Sequence, residues 1–293
     1  MLLSLLVVNY NTETYISKLL QSLSAQSLDK AYFEIIIVNN SQNDILDNIL
    51  TANGFFDSYN IRLYDSGGNL GFGKAMNIAF DYANGNHVLL INPDVQMLQD
   101  FYLERLIKYA LDNPNYGAIS TQILDDNHND VSTYYSYEFG RTMGFDGDIC
   151  WFQGSLLLIR SEIFKKLMGF DVDFFMYCED VDLCYRIKKM GLKLLKIDEL
   201  KVYHFGGASE PNHDYDYYHR YLTSQILFAY KHYAEEFTPL LERLYHKSKK
   251  RVAYYQFSSK FVPSHRRLLM KNQAMYDVTT QAMQDIDKLK HRW

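Results

Sequence analysis

Four short apolar runs, Leu2–Val8, Phe33–Val38, Ile61–Tyr64 and His87–Ile91, constrain this chain more than any other feature. Between them lie stretches with helical spacing. One starts at Asn11 or Thr12, either of which can cap it, and presents Ile16, Leu19, Leu20 and Leu23 on one face. A second runs from Phe72 to Ala83, and a third from about Gln99 to Leu111, ending before Asn113-Pro114. Near-continuous apolar runs are strands buried on both faces, and their alternation with helices predicts an α/β fold with a mostly parallel sheet. In such a sheet ligands bind beyond the carboxyl ends of the strands. The polar residues directly after Val8, Val38 and Ile91 should therefore meet in one crevice.

Those residues fall into clusters. Asn9-Tyr10-Asn11 follows the first strand and can either hold a nucleobase, with Tyr10 offering a face, or simply turn the chain. Asn39-Asn40-Ser41 follows the second, and Asn39 carries an acceptor oxygen suited to an imide N–H. The glycine-rich Ser66–Asn77 segment precedes a helix, where backbone N–H groups favour an anion. Lys74 within it can offset diphosphate charge or remain solvated. Asn92-Pro93-Asp94 ends the fourth strand, with Asp94 able to ligate a hard divalent cation and a strand-ending turn as the plain reading.

Farther on, the stretch from Gly154 to Leu194 pairs a short apolar run, Ser155–Ile159, with a brief helix that Ser161 can cap and Gly169 stops. An acidic, aromatic loop from Asp171 leads to Glu179-Asp180 at the start of a helix that stops at Gly191. Carboxylates there either cap the helix or serve as a general base, kept charged by the dipole. Two more strand-like pieces follow, Lys193–Ile197 and Lys201–Tyr203, then His204 through Ser209. The loop-rich span from Asp125 to Cys150 resists assignment. Trp151 after it is either a sugar platform or a core residue.

Together, VVNYN, VNNSQND, the Asn69–Asn77 segment, LLINPDV, the Gly154 strand with the Glu179-Asp180 helix, and VYHFGGAS resemble family 2 glycosyltransferases. The likeness is to their rhamnosyltransferase-like branch and spans about Leu3 to Ser209. It implies a GT-A fold and an inverting transferase that uses a nucleotide-sugar, best dTDP-L-rhamnose. A UDP-hexose or UDP-N-acetylhexosamine donor, or a non-catalytic glycan- or nucleotide-binding subunit, stand as alternatives. It implies that Asn9, Tyr10, Asn11, Asn39, Asn40, Ser41, Asn69, Gly71, Lys74, Asn77, Asn92, Asp94, Trp151 and Gly154 surround the donor. Asp94 and His204 would hold Mg²⁺ or Mn²⁺. Asp180, before Glu179, would be the catalytic base. Asn39 departs from the family, which usually has Asp there.

Of the 293 residues, those from 211 to the end hold 14 Lys and Arg against 8 Asp and Glu, while residues 1–210 hold 16 against 27. Opposite balance suggests two jobs: a catalytic domain over 1–210 and a basic helical extension over 211–293, broken near Pro263. Tyr218, Tyr221, Leu222, Gln225, Phe228, Ala229 and Tyr233 share a side of its first helix. The basic Arg243–Lys271 segment suits anionic lipid, a partner subunit in a homo-oligomer, or solvent. The acceptor expected is a glycan or lipid-linked glycan; no nucleic-acid motif occurs. Three cysteines without metal spacing, no apolar run long enough to span a bilayer and no leader-like start lead to the expectation of a cytoplasmic protein, at most peripheral on the membrane's cytoplasmic face.

Overall fold

The apolar runs form strands, and the sheet they build carries every candidate residue of the first 207 on elements of one unit. The computed structural model describes residues 1–145, 149–207 and 212–289. In chain order these form β1 (Leu3–Asn9), α1 (Glu13–Ser24), β2 (Phe33–Asn39), α2 (Ile45–Ala52), α3 (Phe55–Ser58), β3 (Ile61–Asp65) and α4 (Phe72–Asp81). Then come β4 (His87–Ile91), β5 (Val95–Met97), α5 (Tyr102–Asp112), β6 (Tyr116–Leu124), β7 (Thr133–Tyr134), β8 (Trp151–Phe152), β9 (Leu156–Arg160) and α6 (Ser161–Lys166). The rest is α7 (Glu179–Lys189), β10 (Lys193–His204), α8 (Tyr215–His232), α9 (Phe237–Ser258) and α10 (His265–Gln284).

Eight strands make one mixed, mostly parallel sheet in the order β3-β2-β1-β4-β9-β6-β10-β5. β1, β2, β3 and β4 run parallel, with Asn9 opposite Asn39 and Asn39 opposite Asp65. β9 is antiparallel to β4, which sets Leu156 opposite Ile91 at the carboxyl end of β4. β5 is antiparallel to β10, so Val95 lies opposite His204. One edge thus gathers Asn9, Asn39, Asn92, Asp94, Gly154 and His204. All residues of β1, β2 and β4 are buried, because helices cover both faces.

Several local expectations are corrected. Ser161 does not cap α6; its hydroxyl donates to the Gly85 carbonyl. Thr12 takes the N-cap place of α1, yet its hydroxyl donates to Asn9 Oδ1 rather than accepting from the helix. Lys193–His204 is one strand, with a register shift between Ile197 and Lys201 in place of a break. Residues 146–148 of the loop-rich span, and Ala208 and Ser209 of the VYHFGGAS segment, lie outside the described residues.

At the opposite edge a polar cluster fastens the first three strands. Glu34 of β2 is buried and accepts from Ser4 Oγ (2.6 Å), the Asn84 N–H (2.7 Å) and Arg62. Burial pushes its carboxyl up, but these hydrogen bonds and the Arg62 charge outweigh that and hold it below the usual range. The stabilisation is therefore full above the ordinary carboxylate range and is lost as pH falls through the lowered folded value. Glu34→Ala should cost about 3 kcal/mol in urea melts at neutral pH and flatten the acid-side fall in stability.

The chain divides into two units, Met1–Asp171 with Glu179–Ser209, and Val172–Cys178 with Glu210–Trp293. In the second, the short segment joins the helices because Ser224 Oγ donates to the Met176 carbonyl (2.7 Å) and Lys231 pairs with Asp173 (2.6 Å). α8 starts at an Asp214 cap that accepts from the Tyr217 N–H. Its buried face takes in Thr223, Ser224, Ile226 and Leu227 beside the expected residues, while Tyr221 and Gln225 are only half-buried. No described helix is long and apolar enough to cross a membrane.

Candidate active site

α7 begins where the chain meets the start of β9. Asp180 Oδ2 accepts from the Gly154 N–H (2.8 Å) and Oδ1 from the Val181 N–H (2.8 Å). Asn92, at the end of β4, donates its N–H to the Ser155 carbonyl (2.9 Å). Two hydrogen bonds and a single peptide step therefore connect Asp180 with the Asn92-Pro93-Asp94 turn. Gly154 is needed for this approach: a Cβ there would lie 2.9 Å from Asp180 Cβ and 3.1 Å from Oδ2. Gly154 thus positions Asp180. Gly154→Ala should lower turnover about 10²-fold through displacement of that carboxylate, with an unchanged far-ultraviolet circular dichroism spectrum.

From sequence, the helix dipole favours the charged form of each carboxylate, while their adjacency makes ionising both costly. In the structure burial raises both. Burial is the dominant influence on Asp180 and lifts it to about 6, against hydrogen bonds from Gly154 and Val181 that pull it down. Burial also pushes Glu179 well above the carboxylate range, reinforced by the neighbouring Asp180 and Asp182 charges. Glu179 Oε2 is buried with no hydrogen-bond partner among the described residues. Asp180, at about 6, is ionised at neutral pH, while burial and the neighbouring charge hold the Glu179 carboxyl well above its ordinary value. Asp182 serves the fold instead, pairing with Arg186 (2.7 Å), whose guanidinium also donates to the carbonyls of Leu167 and Gly169.

On the same edge, Asp94 is buried with Oδ1 3.3 Å from His204 Nε2, and the Phe205 N–H donates to its carbonyl (3.1 Å). Asn92 Oδ1 is buried without a partner among the described residues. An oxygen and an imidazole nitrogen side by side, with an orphaned amide oxygen two residues away in the chain, fit a hard divalent cation. No group of three or more His, Cys, Asp or Glu side chains surrounds one point among the described residues. A cation would take its remaining ligands from phosphate and water.

The asparagine cluster is tightly cross-linked. Asn9 Nδ2 lies within reach of Asn39 Oδ1 (2.8 Å), Glu13 Oε1 (3.1 Å) and Ser41 Oγ (3.2 Å). Asn39 Oδ1 also accepts from the Ser41 N–H (3.1 Å), so both lone pairs are engaged and a base N–H would have to displace one donor. Ser41 Oγ accepts from the Asn11 N–H, while Tyr10 is half-buried beside it in sequence. Asn40 donates to the Gly71 carbonyl (3.1 Å), which ties the β2 end to the glycine loop, and its Oδ1 is buried without a partner among the described residues. Asn69 Oδ1 accepts from the Gly71 N–H (3.0 Å), and Gly71, with φ of 80°, starts α4. Lys74 is exposed.

Two expected ligand residues are otherwise employed. Asn77 spends both amide atoms on the Phe170 backbone, accepting its N–H and donating to its carbonyl at 2.8 Å each. It fastens the loop after α6 to α4. Trp151 stacks on Tyr134 with ring centroids 3.8 Å apart and donates to the Ser136 carbonyl, so one of its faces is already covered. Tyr134 itself carries no distinguishing signal in the sequence. Burial first, then the Asp180 charge, pushes its hydroxyl up, which puts it within electrostatic reach of the candidate base. Only its place among the tyrosines of the loop-rich span hints at it.

Comparison with known proteins adds an independent line. Residues 4–182 match the profile of "Glycosyl transferase family 2". The chain is 29% identical to the rhamnosyltransferase WbbL of Escherichia coli K12, over 69% of this chain and 82% of that protein. It is 27% identical to the N-acetylglucosaminyl-diphospho-decaprenol L-rhamnosyltransferase of Mycobacterium tuberculosis, covering 69% and 75%. Among solved structures, mannosyltransferase PcManGT from Pyrobaculum calidifontis, in complex with GDP-Man and Mn²⁺, superposes with a TM-score of 0.62 at 15% identity, covering 97% of this chain and 87% of that one. S. aureus TarS 1-349 in complex with UDP-GlcNAc gives 0.57 at 16%, covering 97% and 92%.

Proposed function

The chain belongs to glycosyl transferase family 2, and from that premise we propose that it moves L-rhamnose from dTDP-L-rhamnose, with inversion, to a hydroxyl of a growing cell-surface polysaccharide or lipid-linked glycan. The observation that carries this reading is Asp180: a carboxylate lifted to about 6, fixed by Gly154, on the strand edge that also bears Asp94 and His204. A base with that value is ionised at neutral pH yet basic enough to take a hydroxyl proton as the bond to the sugar forms.

Asp180 accepts the acceptor proton. Glu179, whose carboxyl burial pushes well up, lies next to it in sequence. Asp94 and His204 would hold Mg²⁺ or Mn²⁺, which supplies Lewis-acid stabilisation to the departing diphosphate. Asn40 and the Gly71 turn border the place where the α4 N-terminus offers N–H groups to an anion. Attack by the acceptor on the face opposite the leaving diphosphate needs no covalent enzyme intermediate, so a single base suffices. Rhamnose as the sugar is supported by the two rhamnosyltransferase relatives; a UDP-hexose or UDP-N-acetylhexosamine is the second reading, favoured by the UDP-GlcNAc complex of TarS.

A thermal-shift screen of nucleotide-sugars, with and without Mn²⁺, followed by assay of donor hydrolysis, tests this. dTDP-L-rhamnose should stabilise the chain and be hydrolysed only with the cation. A response confined to UDP-sugars would replace the donor, and no response to any nucleotide-sugar would overturn the transferase reading.

A further inference from the structure

The helical unit carries a surface that sugar transfer does not explain. At the end of α9 and the turn into α10, Phe257 is 66% exposed, Phe261 71% and Tyr254 59%, with Val262 exposed beside them. The rings of Phe257 and Phe261 touch at a centroid distance of 5.4 Å, so they form a small apolar knob on the surface. Counting back along α9, Lys250 and Lys247 continue the stripe of Tyr254 and Phe257 at helical spacing. Between Arg243 and Lys271 there are nine Lys and Arg and no Asp or Glu. A helix that is basic along its shaft and aromatic at its tip has the makeup of a segment that lies in a lipid interface.

We propose that the α9–α10 turn docks this unit on an anionic bilayer, with Phe257 and Phe261 entering the headgroup–acyl boundary and the surrounding lysines and arginines contacting lipid phosphates. Charge decides between occupants. A symmetric contact with a second copy would set nine cations against nine, without one carboxylate in the segment to pair with them. Single-stranded nucleic acid would want ring faces presented in parallel for bases, whereas Phe257 and Phe261 are tilted by 58° against each other and Val262 adds an aliphatic contact. Lipid accepts both the apolar tip and the cations.

Flotation of the full chain with vesicles of phosphatidylcholine alone, or mixed with phosphatidylglycerol, tests the surface without any sugar chemistry. Its failure would therefore leave the transferase reading intact. The chain should float with the anionic vesicles, stay behind with the neutral ones, and be released by high salt. Phe257→Ser with Phe261→Ser, and separately Lys249→Glu with Lys250→Glu, should each cut binding at least tenfold with unchanged melting temperature, since these side chains are exposed. Equal binding to both vesicle types, no binding to either, or undiminished binding by the two double variants would overturn the proposal. So would tighter retention on a single-stranded oligonucleotide, or a dimer in gel filtration that the phenylalanine variant dissolves.

Discussion

Asp180→Asn is expected to lower kcat for transfer by about 10²–10⁴-fold while donor binding, measured by calorimetry, stays within a few-fold of the parent. The amide keeps one oxygen for the Gly154 or Val181 N–H but cannot take a proton. Glu179→Gln is the control: it replaces a buried carboxyl that burial pushes well up and leaves the Gly154 and Val181 hydrogen bonds of Asp180 in place, so turnover should stay within about tenfold. A stability signature accompanies the loss. A carboxyl whose folded value is raised destabilises the folded state above its unfolded value, and the penalty grows as pH rises toward the folded value of about 6. Asp180→Asn should therefore melt higher than the parent at pH 7, and the gain should vanish as pH falls toward 4. A variant with near-normal turnover would remove Asp180 from the base role.

The second large effect is expected at Asp94. Asp94→Ala leaves His204 Nε2 without its carboxylate neighbour and takes away the one anionic oxygen on that turn. Donor affinity in Mn²⁺ should fall and kcat/KM drop by about 10²–10³-fold, the scale of losing cation stabilisation of a leaving group. Chelation of the parent should produce the same loss, and chelation of the variant should change little. Calorimetry that finds donor binding to the parent equally tight with and without Mn²⁺ would contradict this assignment.

Much of this arrangement is readable from the chain itself. Buried runs ending in Asn9, Asn39 and Asn92 announce parallel strands, and parallel strands bring their carboxyl ends together. The helix start at Glu179-Asp180 is marked by composition alone. What cannot be read is set by packing. Nothing near Asn77 in the chain foretells that its amide holds the backbone of Phe170, 93 positions away. The dipole argument for Asp180 names the right groups but misses burial, the largest influence on its carboxyl, and the Gly154 N–H, 26 positions away, that the fold brings onto it. β5 has three residues, too few for a periodic signal, yet it is the strand that brings Asp94 beside His204. The Glu34 cluster joins three strands and a turn, and no local spacing foretells it.

The pH dependence of kcat/KM, measured at saturating Mn²⁺ with the sugar donor that the thermal-shift screen identifies, bears most directly on the claim that burial tunes Asp180 into the base. Rates should rise with unit slope below about 6, where Asp180 gains its proton, and level off above it. A profile flat from pH 5 to 8, or one that rises toward lower pH, would contradict it.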